Sequence, residues 1–269
     1  RLAREKGIVL ENRPREEEQE SDSYKGAFVK EPEFGVFEDV LLVDFSGFYP
    51  SLIIKYNISP ETYSPDGENE IDGYRFRAKP KGLLPQAVER VKALKERIKK
   101  EISRTQDPKR KAQLKTKHEA VKRVLNSFYG ATRHHLRART PWIAEAITAA
   151  GRKHISEFIE KLEKKGEVRV LYADTDSAFA FSPTKDLDSL RRLVEKVQPK
   201  GLQVETQTVF RRIFFLTKKR YAGIDYEGNV WKKGIQFVRS DSEEFIARTQ
   251  EELAMAILEN RSREEIASL

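Results

Sequence analysis

Residues 168–181 read VRVLYADTDSAFAF, an apolar, β-prone run broken only by Asp174, Thr175 and Asp176. Aspartate is a poor strand residue, and a buried carboxylate without a partner is costly. The run is therefore expected to fold as a hairpin with its two carboxylates at the tip. A second apolar run, VFEDVLLVDF, reads as a buried strand ending at Asp44. If the two strands are neighbours, three carboxylates converge on one sheet edge, an arrangement that calls for a cation. All-oxygen ligands point to Mg²⁺, with Mn²⁺ as a substitute, rather than to zinc. Two such ions can clamp the attacking and leaving oxygens of an in-line phosphoryl transfer. Taken alone, DTD reads equally well as a polar turn, because Asp is common in turns. Asp44 weighs against that, since LLVDF carries no turn chemistry of its own.

Helical patterns fill much of the remaining chain. FYPSLIIKYN reads as a short helix with Pro50 in its first turn. Residues 84–106 carry Val88, Val91, Leu94, Ile98 and Ile102 at helical spacing, and TQDPKR makes a turn. A second helix over 109–128 has Leu114, Val121, Leu125 and Phe128 as its stripe, completing a helical hairpin. A third begins at TPWIAEAI, with Thr140 as N-cap, Pro141 at the first helical position and Gly166 at the stop. Residues 11–25 and 60–73 read as loops; a helix near 186–198, strands at 202–216 and 220–238, and a last helix from about Ser242 follow.

The chain carries 51 Lys and Arg against 43 Asp and Glu, a net charge of +8. Between Arg90 and Arg139 there are 17 basic and four acidic residues, or +13, which leaves −5 for the rest. Charge concentrated on one hairpin is the footprint of phosphate binding. Lys122, Asn126 and Tyr129 share one helix face, continued by Lys115 and His118, while Lys92, Lys95 and Lys99 form a second basic face. Lys100, Lys109 and Lys111 read as solvated surface. Gly130 offers room for close backbone approach.

The chain has no cysteine, which excludes disulfides and Cys-ligated zinc, and no run approaches the ~20 apolar residues of a membrane span. A soluble intracellular protein is expected. The high charged fraction, 35%, together with the absence of Cys, fits a thermophilic source. Met255 is the only methionine of 269 residues, so the sequence is expected to begin partway through a longer polypeptide.

Several stretches, in order, resemble the motifs of family B DNA polymerases, and archaeal members most. DFSGFYPSLI resembles the first polymerase motif, KRVLNSFYG the second, YADTDS the third and TKKRYA the basic motif that follows. YKGAFV resembles the upstream template-binding motif and GLLPQAVERVKALKERIKKE the fingers helix. The resemblance implies an α+β fold: a polymerase palm with an antiparallel, ferredoxin- or RRM-like sheet and an inserted helical fingers hairpin. It implies palm at 1–79 and 134–240, fingers at 80–133 and the start of a thumb at 241–269. Asp44 and Asp176 become the principal ligands of two Mg²⁺ ions, with Asp174 less direct and the Phe45 carbonyl also on a metal. Lys122, Asn126, Lys95, Lys99, Tyr49, Phe48, Gly47 and Ser46 would serve the incoming nucleotide, Tyr49 lying against its sugar. Lys219, Arg220, Tyr221, Tyr24, Gly26, Tyr129 and Gly130 would hold the DNA. The implied activity is templated addition of deoxynucleotides to a primer 3′-hydroxyl. The implied partners are primer-template DNA, deoxynucleoside triphosphates, and further domains or a second chain supplying exonuclease and thumb.

The sequence departs from the family pattern at three positions. Lys95 stands where relatives have a triphosphate-binding Arg, and it keeps the charge without the bidentate fork. Ala27 replaces the second Gly of the template motif, and Ser242 stands where archaeal relatives often have Trp. An alternative is a catalytically weak, DNA-gripping subunit or one piece of a split polymerase; retention of all three aspartates weighs against loss of catalysis. A reverse transcriptase or RNA polymerase shares the carboxylate logic, but the bulky ring of Tyr49 argues for deoxy substrates.

Overall fold

A computed structural model describes residues 2–5, 7, 25–133, 141–164, 167–235 and 244–268. Expectations for Tyr24, Thr140, Gly166, Ser242, the 11–24 loop and residues 236–238 fall outside them. The chain divides into two compact units. One comprises Arg1–Ala27, Gly47–His154 and Lys200–Leu202; the other comprises Phe28–Ser46, Ile155–Pro199 and Gln203–Leu269. We call them the helical unit and the sheet unit.

The sheet unit is built on seven strands: β1 (Val29–Lys30), β2 (Gly35–Phe45), β5 (Arg169–Asp174), β6 (Ser177–Phe181), β7 (Val204–Thr217), β8 (Arg220–Asp225) and β9 (Val230–Lys233). Their spatial order is β1-β5-β6-β2-β7-β8-β9, and each neighbouring pair is antiparallel. The expected α+β architecture with an antiparallel sheet is thus present. Its core gathers Val40, Leu42, Leu171, Phe179, Phe210, Ile213 and Phe215 with two tyrosines, Tyr172 and Tyr221. Rings dominate: Phe179 meets Phe215 edge-on at 5.2 Å and Tyr221 at 5.0 Å. Helix α6 (Leu187–Val197), N-capped by the Asp186 side chain on the Ser189 amide, packs on β2 and β7. Helix α7 (Glu244–Leu258) brings Ala254 and Leu258 against Phe214, Ala222 and Ile224; the short α8 (Arg263–Ala267) follows.

The expected single strand over 220–238 is a hairpin. Asp225 accepts hydrogen bonds from the amides of Glu227 and Asn229, from Asn229 Nδ2 and from Trp231 Nε1, and so closes the β8–β9 turn. The polar stretch YEGN already contained that turn, but the long apolar pattern around it hid the break.

The helical unit holds α1 (Leu2–Glu5), α2 (Phe48–Lys55), α3 (Leu83–Arg104) and α4 (Pro108–Arg133). The basic hairpin of α3 and α4 is as the spacing predicts, with Val88, Ile98, Leu114 and Leu125 buried. Helix α4 continues past 128 because NSFYGATR contains no strong helix breaker in its first turns. Helix α5 (Pro141–Lys164) serves both units. The expected loop over 60–73 contains structure: a 3₁₀ turn at Pro60–Thr62 and the start of a small hairpin, β3 (Asn69–Ile71) with β4 (Tyr74–Phe76). Ile71 and Phe76 are fully buried, so tertiary burial overrides the Gly- and Asp-rich composition. Among the described residues, no helix is long and apolar enough to cross a membrane.

Candidate active site

In the sheet unit, β5 and β6 are joined by Thr175 and Asp176. Thr175 has φ of +61°, a conformation unusual for a β-branched residue and one that costs on the order of 1–3 kcal/mol. Its surroundings impose it. The Thr175 amide donates to the Phe28 carbonyl (2.8 Å), its hydroxyl donates to Asp174 Oδ1 (3.1 Å), and the Asp176 amide donates to the Asp174 carbonyl (2.7 Å). The turn is also locked to β2, since the Phe45 amide donates to the Asp176 carbonyl at 2.8 Å.

Register then brings the aspartates to one end of the sheet. Ser177 on β6 pairs with Asp44 of β2 on one side and with Asp174 of β5 on the other. Directly opposed residues of antiparallel strands project to the same face, so Asp44 and Asp174 share a face with Ser177 between them. Asp174 is buried at 8% exposure. Burial pushes the Asp176 carboxyl above the usual range; its own backbone amide opposes this, and the neighbouring Asp174 charge adds to the rise.

Among the described residues, no group of three His, Cys, Asp or Glu side chains is placed to hold a metal ion. Asp174 takes the Thr175 hydroxyl and lies 3.8 Å from Lys219 Nζ.

The basic turn between β7 and β8 sits beside the same aspartate. Lys219 has φ of +61°, and its amide donates to the Tyr172 hydroxyl at 2.9 Å. Burial pushes the Tyr172 hydroxyl up to about 12. Lys219 and Arg220 are exposed, as a polyanion contact needs. Tyr221 is not available for that: it is 7% exposed inside the core, and burial pushes its hydroxyl up to about 12. Strand alternation turns it inward while Arg220 points out. Phe45, whose carbonyl was expected at a metal, buries its ring edge-on to Phe158 at 5.3 Å.

In the helical unit, Gly47 precedes α2 with φ of +57°, the left-handed region that glycine enters without penalty. Ser46, the last residue of the sheet unit, is half-buried and donates its amide to the Gln203 carbonyl at 2.8 Å. Phe48, expected at the nucleotide, is instead 3% exposed and belongs to the packing of α2. Tyr49 is half-buried and packs on Tyr129, ring centroids 4.7 Å apart, and on Phe48 at 5.9 Å. Tyr129 thus supports Tyr49, although its expected role lay with DNA.

Lys122 and Asn126 are exposed on one face of α4, and Lys99 is exposed and Lys95 half-buried on α3. Lys122, Lys95 and Lys99 form no ion pair among the described residues. Lys92 donates to Ser51 Oγ at 3.3 Å and is partly committed to α2. His118 does not continue the open basic face: it is largely buried, with Nδ1 3.5 Å from Glu119. Among the described residues, a methyl group at Gly130 would meet nothing within 4 Å.

Two residues on α5 were not singled out from the sequence. Arg152 Nη1 donates to the carbonyls of Lys25 (2.5 Å) and Gly26 (2.8 Å), fixing the segment that contains Gly26. Its neighbour Gly151 underlies Tyr49, where a Cβ would fall 3.0 Å from the Tyr49 ring. The available signal was a glycine inside a helical pattern, which costs about 1 kcal/mol relative to Ala and so asks for a packing reason.

The sheet unit carries aspartates at one end of an antiparallel sheet, and the helical unit carries a hairpin with exposed lysines. The family model described as DNA polymerase family B matches residues 1–268, and the chain belongs to that family. It is 35% identical over 283 residues to a DNA polymerase of Thermococcus gorgonarius, covering 98% of this chain and 36% of the relative. Identity to a DNA polymerase of Archaeoglobus fulgidus is 35% over 279 residues, covering 99% and 34%. The solved family B DNA polymerase of the hyperthermophilic archaeon Pyrobaculum calidifontis superposes with a TM-score of 0.74 at 30% identity, over 99% of this chain and 35% of that one. The chain thus spans about a third of the length of these relatives.

Proposed function

We propose that this chain is the catalytic portion of a template-directed DNA polymerase, with palm at 1–79 and 134–240, fingers at 80–133 and the start of a thumb at 241–269. Primer-template DNA and deoxynucleoside triphosphates are its substrates, further domains or a second chain complete it, and it works in the cytoplasm at the nucleoid. The observation that carries the reading is the double pairing of Ser177 with Asp44 and Asp174, next to a turn that presents Asp176.

The donor set is hard oxygen, which suits Mg²⁺ held by one or two carboxylates and completed by substrate phosphate oxygens. The raised carboxyl of Asp176, next to Asp174, is the electrostatic imbalance that a cation relieves. Asp44, Asp176 and the Phe45 carbonyl would hold two such ions, with Asp174 more distant. When bound, the metals lower the primer hydroxyl pKa and take up charge on the leaving oxygen.

The chain's own residues do the rest. Lys122, Lys95 and Lys99 neutralise the triphosphate, and Asn126 lines the nucleotide site. Tyr49 lies against the sugar and excludes a 2′-hydroxyl by volume. Lys219 and Arg220 hold the duplex backbone, and Gly26 with its Arg152 anchor holds the template segment. The primer 3′-oxygen forms a bond to the α-phosphorus, the bond to the β-phosphate oxygen breaks, pyrophosphate leaves and the hydroxyl proton passes to solvent.

The test is primer extension by the natural polypeptide containing this chain, with Mg²⁺ and single deoxynucleotides. Incorporation should follow the template base. Extension that ignores the template, or none by a folded, DNA-bound protein, would overturn the reading.

A further inference from the structure

Helix α5 carries Gly151 near its middle, between fully buried Ala150 and the anchored Arg152. Glycine weakens a helix interior relative to alanine, so a packing constraint is expected. The constraint is the ring of Tyr49. A Cβ on residue 151 would sit 3.0 Å from Tyr49 Cε1 and 3.3 Å from Phe48 Cε1, closer than side chains ordinarily pack. The Tyr49 ring therefore rests on bare backbone of α5. Phe48, nearly parallel at 19°, and Tyr129, tilted by 47°, also pack against it.

The helix cannot give way instead. Ile147 and Ala150 are fully buried, and Arg152 is tied to the Lys25 and Gly26 carbonyls. The depth to which the Tyr49 ring sinks is accordingly set by the missing side chain at position 151. Packed interiors transmit displacements of this size because they hold few voids.

We propose that Gly151 is a positioning residue for sugar selection: by admitting the Tyr49 ring onto the α5 backbone, it sets how far that ring reaches toward the sugar of the incoming nucleotide. The proposal rests on the reading of Tyr49 as the sugar-contacting ring and extends it to a residue that never touches substrate. A methyl at position 151 displaces the ring by a few tenths of an ångström, away from α5. A ring that excludes by volume then crowds the sugar more.

The experiment is a four-protein cycle in the natural polypeptide: wild type, Gly151→Ala, Tyr49→Ala and the double variant. kcat/KM is measured for a deoxy- and a ribonucleotide opposite one template base, with a melting curve for each protein. Gly151→Ala should melt at or above the wild-type temperature, since alanine favours the helix. Its deoxynucleotide kcat/KM should fall about three- to tenfold, mostly through KM, and its ribonucleotide value should fall further. In the Tyr49→Ala background the same substitution should leave the ratio unchanged. A wild-type ratio in Gly151→Ala, or an equal change in both backgrounds, overturns the proposal. So does a Gly151→Ala protein that fails to fold while the double variant folds, because the ring would then not yield. An unchanged ratio in Tyr49→Ala alone overturns the reading of Tyr49 itself, and is recognised because Gly151 is untouched.

Discussion

Asp44 and Asp174 are 130 residues apart in sequence and are separated in the sheet by one residue, Ser177, with which both pair. Local sequence puts Asp174 at a hairpin tip but does not place Asp44 beside it. The β5–β6 hairpin must form, and β2 must then add to β6 in one register, because a slip by one residue would turn Asp44 to the other face. The Phe45 amide on the Asp176 carbonyl secures that register at its end.

The carboxylates should differ in weight. Asp44→Asn and Asp176→Asn are each expected to lower primer extension by about 10³-fold or more, the worth of several kcal/mol of metal-borne charge stabilisation. Asp174→Asn should cost less, since Asp174 already engages Thr175 and Lys219. Single-turnover extension with Mg²⁺ and circular dichroism of each variant read this out. A near wild-type rate for Asp176→Asn excludes it as a ligand.

Lys122 is exposed and forms no ion pair among the described residues. Lys122→Ala should raise the nucleotide KM and lower kcat, about tenfold each, because the cation acts on both bound triphosphate and developing charge. Lys95→Arg should be tolerated or improve nucleotide use by restoring a fork. Steady-state kinetics on a primed template decide it; an inert Lys95→Ala removes Lys95 from the site.

Neighbours in the basic turn should separate cleanly. Tyr221→Ala removes a ring from the core and should cost about 3–5 kcal/mol of stability. Lys219→Ala should leave melting within about 0.5 kcal/mol and weaken duplex binding, with a salt slope smaller by about one. Anisotropy titrations across salt concentration, beside thermal melts, test the pair. Strong destabilisation by Lys219→Ala would place its main role in the turn.

Acid should open the β8–β9 turn. Hydrogen bonds from Trp231, then Asn229 and Glu227, hold the Asp225 carboxyl below its usual range. A depressed folded value gives stability that is complete above the unfolded value, about 3.9, and is lost as pH falls through the folded one. Asp225→Ala should thus melt below wild type at pH 7, and the gap should close as the pH falls below the unfolded value and through the depressed folded one. Fluorescence of Trp231, whose indole donates to Asp225, reports the opening. A gap independent of pH would contradict the ionised acceptor.

What the sequence determined by itself is what local chemistry repeats. The stripes of α3 and α4, the Pro start of α5 and the carboxylates at a hairpin tip are set by neighbours three or four residues away, or by one turn. Motif order was legible for the same reason, since each motif is a short contiguous string. The tertiary structure decided which of those residues face outward and which meet. Tyr221 and Phe48 lie inside motifs yet pack into cores, because strand alternation and helix docking choose the buried side. The β3–β4 hairpin formed from a loop-like composition because Ile71 and Phe76 found a buried place. Gly151 under Tyr49, Tyr172 on Lys219 and Asp44 beside Ser177 join residues 47 to 133 positions apart. Such contacts depend on register and packing between elements, which no local pattern encodes.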